Sequence, residues 1–323
     1  MFDLLSIGDI KLDTFIAIPQ ASVLCNYKKP TCELCITHGV KIPVDEVDHQ
    51  IAGSAPNVAI GVARLGGKTA VLSTMGKDFV YHQARKFVKK EGVNPKYIYS
   101  VPDMHSSFSA VLNYEGESTQ LAAHTHIPFK IPKHIPHSTW VHLSELGNSY
   151  KELFKVLLRQ KERHPYNLSF NPGMIQIKEQ LPIFEAILAK TDLLFVNKVE
   201  AGILCENESG EIPELIQALS KKVSGNVVIT DGKNGAYGND RHMTYHAPMF
   251  PGERVEATGA GDAFTSGFLG ATVAGLSLQK SLAWGSVNAA SAVQEIGPTR
   301  GLLTRDRVEQ DLAHNATYRV IPT

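Results

Sequence analysis

The sequence predicts an α/β protein with a central, mostly parallel sheet, flanking helices and a small β lid. Three observations predict it. Short apolar runs alternate with stretches of helical periodicity along most of the 323 residues, as strands covered by helices on both faces require. Two stretches, residues 12–51 and 106–122, break the alternation and read as alternating apolar and polar positions with turns. Length alone allows about two domains, but no internal repeat or linker divides the chain, so residues 1–323 are expected to form one domain carrying the lid.

Residues 3–7 form an apolar run ending at Gly8, which reads as a buried strand. Residues 56–65 place apolar side chains at helical spacing and stop at Gly66-Gly67, a C-terminal helix signal. Residues 68–73 read as strand, and residues 78–91 as a helix closed by Gly92. Strand 140–143, helix 150–164, strand 166–170 and helix 178–190 continue the alternation. Strand 192–196, a short helix from Lys198, helix 212–222 and strand 226–230 follow. Within the second irregular stretch, Asn113-Tyr-Glu-Gly116 is a hairpin turn signal. Two strand pairs inserted in this way are expected to form a small separate sheet.

Charge and composition exclude several classes. Lys and Arg number 32 and Asp and Glu 32, a formal net charge of zero, so nothing draws the chain to nucleic acid or to an anionic membrane. The first residues carry Asp3 and Asp9 and no basic segment, unlike a secretory signal. No apolar run approaches the roughly 18 residues of a membrane span. Four cysteines do not make a disulfide scaffold, and the expectation is a cytoplasmic protein with reduced thiols.

Chemistry concentrates in Glu256-Ala-Thr-Gly-Ala-Gly-Asp-Ala-Phe, which leads into a long small-residue helix ending near Gly275. Gly259, Ala260 and Gly261 carry little or no side chain, so their N–H groups at a helix start make a cradle for phosphate oxygens. Asp262 follows in the first turn, where the positive helix end is expected to keep its carboxylate ionised and its pKa low. A cradle beside a proton acceptor suits phosphoryl transfer to an alcohol. Four residues alone are equally an ordinary glycine-rich helix start. Two other glycine motifs are decoys. Gly66-Gly67-Lys68-Thr69 lacks the earlier glycine of a phosphate loop, since Val62 stands there; Gly259-x-Gly261 lacks the third glycine of a dinucleotide fingerprint, since Phe264 stands there.

Thr258-Gly-Ala-Gly-Asp-Ala-Phe resembles the C-terminal signature of the ribokinase-like (PfkB) carbohydrate and nucleoside kinases. Gly53-Ser-Ala-Pro-Asn57-Val-Ala-Ile-Gly-Val-Ala-Arg-Leu-Gly66 resembles their N-terminal glycine-rich signature. Asn197-Lys-Val-Glu200 is similar to the family's N-x-x-E motif, and Thr230-Asp-Gly-Lys-Asn-Gly235 to its nucleotide-side turn. Gly8-Asp9 with Asp13 matches the opening strand. These motifs keep the family's order and reach from residue 8 to about residue 301.

The resemblance implies a kinase that uses ATP and Mg²⁺. It implies that Asp262 is the catalytic base and that Gly259, Ala260 and Gly261 form the anion hole. Asn197 and Glu200 would organise Mg²⁺ through waters, with hard oxygen donors. Asp13 and Asn57, with Gly53, Ser54 and Glu145, would hold the substrate. Thr230, Gly232, Gly235, Thr258 and Asn288 would lie on the ATP side, with Asn288 near the adenine. The sequence also departs from the pattern. Ala52 replaces one usual glycine, and Ser54 stands where ribokinases proper carry Lys, which weakens a ribose assignment. Glu256 replaces the Asp that often begins the monovalent-cation site, so potassium activation does not carry over.

The long insertion between Phe15 and Gln50 holds Cys25-x6-Cys32-x2-Cys35-x2-His38, four potential ligands for a structural zinc ion or, equally, reduced thiols in a β insertion. His124-x-His126 offers a second pair of imidazoles, which also suit an exposed strand face. A lid with one free apolar face or open edge invites a symmetric partner, so a homodimer through the lid is expected. Three functions stay open: a kinase of a small sugar, sugar acid or nucleoside; specifically a nucleoside (adenosine-like) kinase; and a catalytically inactive sugar-binding regulator, against which the intact Asp262 argues.

Overall fold

The computed structural model describes residues 1–25, 32–123, 125–147, 149–240, 242–256 and 258–323. In chain order, β1 (Phe2–Ile7) is followed by β2 (Lys11–Ala17), β3 (Ser22–Cys25), β4 (Cys32–Cys35) and β5 (Glu46–Ala52). Next come α1 (Ser54–Arg64), β6 (Thr69–Gly76), α2 (Phe79–Lys90), β7 (Ile98–Val101), β8 (Ser107–Tyr114) and β9 (Glu117–Ala123). The middle of the chain supplies β10 (Ser138–Leu143), α3 (Tyr150–Arg163), β11 (Asn167–Phe170), α4 (Met174–Glu179), α5 (Pro182–Leu188), β12 (Leu193–Asn197), α6 (Lys198–Leu204) and α7 (Ile212–Ser220). The last third supplies β13 (Asn226–Thr230), β14 (Ala236–Asn239), β15 (Thr244–Ala247), α8 (Ala260–Val273), α9 (Leu278–Ala292), α10 (Arg305–His314) and β16 (Ile321–Pro322).

Ten strands form the main sheet in the order β16-β15-β14-β13-β12-β11-β10-β1-β6-β7. From β13 to β7 every neighbouring pair is parallel. Successive side chains alternate between two helical layers, which is why these strands read as unbroken apolar runs. Leu5 and Ile7 pack with Leu153, Phe154 and Phe184 on one face. Leu4 packs with Val58, Val62 and Phe268 on the other. All eight residues of β6 are buried.

The expected α/β body and separate lid are both present, with differences of detail. The helix expected over 178–190 is two helices, because Gln180 takes the left-handed region (φ 40) and Pro182 starts the next one. The antiparallel edge β14-β15-β16 has no counterpart in the sequence reading; its strands are only two to four residues long. The lid is a four-stranded sheet ordered β5-β2-β8-β9, in which β2 pairs antiparallel with β5 and parallel with β8. Its turn falls at Glu115-Gly116, both at positive φ, as the Asn113–Gly116 signal predicts. Asp13, Ser109 and Gln120 share one face of this sheet, while Ile16, Val47, Phe108, Leu112 and Leu121 share the opposite face.

The cysteine expectations need correction. Cys25 and Cys32 face each other across β3 and β4 and are joined by a disulfide. A sulfur bonded to sulfur is no longer a thiolate ligand, so the zinc set Cys25, Cys32, Cys35 and His38 is broken, and these two thiols are not reduced. Cys35 remains a free thiol. His124, and with it the His124–His126 pair, lies outside the described residues. Among the described residues no group of three or more His, Cys, Asp or Glu side chains is arranged to hold a metal ion, and no helix is long and apolar enough to cross a membrane.

Candidate active site

The start of α8 and the inner face of the lid meet in one cleft at the carboxyl ends of the central parallel strands, where open α/β sheets place their ligands. Asp9 follows β1 and Glu145 follows β10; both line the cleft with Lys11, Asp13, Gly53, Ser54, Asn57, Ser107, Gln120, Thr258, Gly259, Asp262 and Pro298. The lid is pinned over this opening from two sides. Arg300 pairs with Asp48 of β5 at 2.6 Å, and Gln50 donates to the Ile296 carbonyl at 2.9 Å. On the other side, Arg254 pairs with Glu117 of β9 at 3.2 Å.

The two glycines of the cradle serve different needs. Gly259 caps α8 in the left-handed region (φ 82), and a Cβ there would lie 2.5 Å from Cβ of Pro298, so the fold itself requires glycine. At Gly261 a Cβ would meet no protein atom within 4 Å. Its lack of a side chain leaves the first backbone amides of α8 open to an approaching anion.

Asp262 sits in the first turn of α8. Its Oδ2 accepts from Asn57 Nδ2 at 2.8 Å, and the Ser54 hydroxyl also bonds it. Burial pushes its pKa above the ordinary carboxylate value, outweighing the bonds from Asn57 and Ser54; Glu145 pushes the same way and Lys11 against it. This corrects the expectation of a depressed pKa from the helix end. Desolvation in the cleft is the larger effect.

Asp13 is 1% exposed, and burial likewise raises its pKa, with Lys11 opposing. Its Oδ1 lies 3.8 Å from Lys11 Nζ and has no hydrogen-bond partner among the described residues. Asn57 Oδ1, also in the cleft wall, is likewise a buried acceptor without a hydrogen-bond partner among the described residues. Buried acceptors are rarely left unsatisfied. The walls of this cleft hold oxygen atoms that need hydrogen-bond donors.

Toward α6, Asn197 and Glu200 form a capping box: Asn197 Oδ1 accepts from the Glu200 amide and Glu200 Oε2 from the Asn197 amide, both at 2.9 Å. Burial pushes the Glu200 carboxyl upward in pKa, and Glu145 adds to the effect. Glu145 therefore stands in electrostatic reach of both Asp262 and Glu200. Thr230 ends β13 beside Asn197. Gly232 is open, whereas a Cβ at Gly235 would come within 2.1 Å of the Ala247 carbonyl, so the sheet already explains that glycine. Asn288 requires correction. It is fully buried, donates to Ala263 O and Ser266 Oγ and accepts from the Leu303 amide, so its amide is spent inside the α8–α9 contact and faces no cleft.

Sequence reasoning did not place Asp9, Lys11, Ser107, Gln120 or Pro298 in the site. Lys11 was legible, because period-two spacing puts it on the face of Asp13. Ser107 and Gln120 depend on the pairing of β2, β8 and β9. A second hollow shares Asp9 and Ser107 with the cleft and is walled by Ile10, Ile127, Phe129, Leu146, Tyr150 and Ile175. Polar groups there turn to other partners: Thr74 Oγ1 accepts from the Lys130 amide, Ser149 donates to Ile127 O and Tyr150 to Glu179.

Residues 24–305 match the family described as pfkB family carbohydrate kinase. The chain is 23% identical over 281 residues to a 5-dehydro-2-deoxygluconokinase of Lacticaseibacillus casei, covering 80% of this chain and 85% of that one. It is 25% identical over 268 residues to a nucleoside kinase of Methanocaldococcus jannaschii, covering 80% and 84%. In structure it resembles the M. jannaschii nucleoside kinase with a TM-score of 0.76 at 21% identity, over 98% of this chain and 99% of that one. It also resembles Arabidopsis thaliana ribokinase complexed with ribose and ATP, with a TM-score of 0.78 at 19% identity over 96% and 98%.

Proposed function

The chain belongs to the pfkB family of carbohydrate kinases, and from that premise we propose that its cleft transfers the γ-phosphoryl group of ATP to a hydroxyl of a small sugar, sugar acid or nucleoside. One observation carries the polyol reading. Asp13 Oδ1 and Asn57 Oδ1, on residues that line the cleft with Asp262, are buried acceptors without a hydrogen-bond partner among the described residues, and hydroxyls are the donors that would satisfy them.

In this reading the acceptor oxygen attacks the γ-phosphorus, the bond to the β–γ bridging oxygen breaks, and ADP leaves. Asp262 takes the hydroxyl proton, for which a pKa raised by burial makes it a better base. The amides of Gly259, Ala260 and Gly261 receive the negative oxygens of the migrating group. Asp13, Asn57, Ser54 and Gly53 hold the acceptor, with Glu145 at its edge. Thr230, Gly232 and Thr258 lie on the nucleotide side; Gly235 serves the sheet. Asn197 and Glu200 would hold Mg²⁺ through waters, and the half-buried Glu200 carboxylate near Glu145 fits a divalent cation. When bound, that ion neutralises charge on the β- and γ-phosphates.

The apolar hollow beside the cleft favours, within this class, an acceptor with a flat apolar group next to its hydroxyls, as in a nucleoside. We further propose that residues 1–323 act as one domain, in the cytoplasm where ATP is available, and as a homodimer. The dimer reading rests on the outer lid face, where Val47, Phe108 and Leu121 are exposed. ADP release measured with pentoses, hexoses, sugar acids and nucleosides tests the kinase reading. Release that depends on one of these acceptors is expected. ATP binding without acceptor-dependent release from any of them would instead support an inactive sugar-binding regulator.

A further inference from the structure

We infer that Glu256 is a positioning residue through which the docked lid holds the phosphate cradle in shape; the inference rests on the kinase reading above. Glu256 is 3% exposed. Its Oε1 lies between two donors, the Thr258 amide at 2.6 Å and the Ser118 hydroxyl at 2.8 Å. Thr258 directly precedes Gly259-Ala260-Gly261, so the first bond fixes the entry into the cradle. Ser118 belongs to β9, the lid strand at the sheet edge, so the second bond reaches the lid. One carboxylate oxygen joins the lid to the entry of the cradle.

The Ser118 hydroxyl also lies 2.8 Å from Asn113 Oδ1, yet it has a single hydrogen. The carboxylate is the stronger acceptor and takes it. Asn113, turned about its last bond, then offers its amide nitrogen to the hydroxyl oxygen. Glu256 Oε2 is buried with no hydrogen-bond partner among the described residues. The orientation of Glu256 therefore depends on the two donors at Oε1. The neighbouring Arg254–Glu117 pair joins the same segments, but both side chains are more than half exposed, which makes it a weak clamp. When the lid lifts, Ser118 leaves with it, and Glu256 no longer holds Thr258 in a fixed direction. The cradle is complete only with the lid down over the acceptor, which keeps the phosphoryl group from water.

Ser118→Ala, its conservative partner Ser118→Thr, and Glu256→Gln test this. Loss of a charge-assisted hydrogen bond sets the scale, so Ser118→Ala is expected to lower kcat roughly tenfold or more while changing ATP affinity less than about threefold. Ser118→Thr, which keeps the hydroxyl, should restore most of the loss. Ser118→Ala should add little once Glu256→Gln is present, since both cut the same link. Amide exchange at Thr258 should be slow with acceptor bound and faster in Ser118→Ala. A kcat within twofold of wild type, failure of Ser118→Thr to rescue, or independent effects of the two substitutions would overturn the inference. If the unsubstituted protein turns over no acceptor, the kinase reading fails, and the Thr258 exchange rate in Ser118→Ala alone decides whether the link exists.

Discussion

Asn57 donates from Nδ2 to Oδ2 of Asp262 across 2.8 Å, joining the first turn of α1 to the first turn of α8 over 205 positions of sequence. The amide cannot take a proton from the carboxylate, so it orients Asp262 without competing for its role. Ser54, at the start of the same helix, bonds Asp262 as well.

Asp262→Asn should lower turnover by roughly 10² to 10⁴, the usual range for loss of a general base. The amide keeps the shape and can still accept from Asn57, so ATP affinity should change little. Steady-state turnover with a parallel ATP titration checks this. A variant that keeps near wild-type turnover would sink the assignment of the base.

The same substitution should stabilise the fold at neutral pH. Burial raises the Asp262 pKa above 3.8, so between 3.8 and that raised value the folded chain holds more protons than the unfolded one. Stability contributed by this group therefore falls as pH rises through that window and stays lower above it. Below 3.8 both states are protonated and the difference vanishes. Denaturant unfolding of both proteins across pH should show the Asp262→Asn advantage shrinking toward acid pH. An advantage that grows toward acid pH contradicts the raised pKa.

Asp13→Asn should act on the acceptor. Replacing a buried carboxylate acceptor by an amide removes one charge-assisted bond, which predicts an acceptor KM higher by roughly ten- to a hundredfold with a smaller change in kcat. An unchanged acceptor KM would remove Asp13 from the binding wall.

Placing Asp at Phe108 and Leu121 should break the proposed dimer, because a charge buried in an apolar contact is left without a partner. Sedimentation at micromolar concentration should shift from dimer to monomer. A wild-type protein that sediments as a monomer disproves the lid interface outright.

Thiol titration of the unfolded, unreduced chain should find two reactive cysteines, Cys35 and Cys205, and four after reduction. Elemental analysis should then find no stoichiometric zinc. Four thiols before reduction would return Cys25 and Cys32 to the thiolate state.

The parallel body was legible because each central strand is buried on both faces, so its hydrophobicity is continuous and local. Asp262 and its cradle were legible for a related reason: a helix start and its first turn are contiguous in sequence. What escaped detection depends on pairing across distance. Ser107 and Gln120 reach the cleft only because β8 lies beside β2, and Asn288 is consumed by a helix contact that a one-dimensional pattern does not show. The sign of the Asp262 shift was missed because the helix end is visible in sequence and desolvation in the folded cleft is not.

The parallel pairing of β2 with β8 sets an order of assembly. Residues 11–17 have no neighbour on that side until residues 107–113 exist, and the cleft is not closed until Pro298 packs against Gly259. A ribosome releasing the chain from its N-terminus therefore leaves one edge of β2 open long before β8 emerges. In the proposed reading, phosphoryl transfer begins only when the chain as far as Pro298 has left the exit tunnel, and a nascent or truncated chain short of that point would have no means to spend ATP.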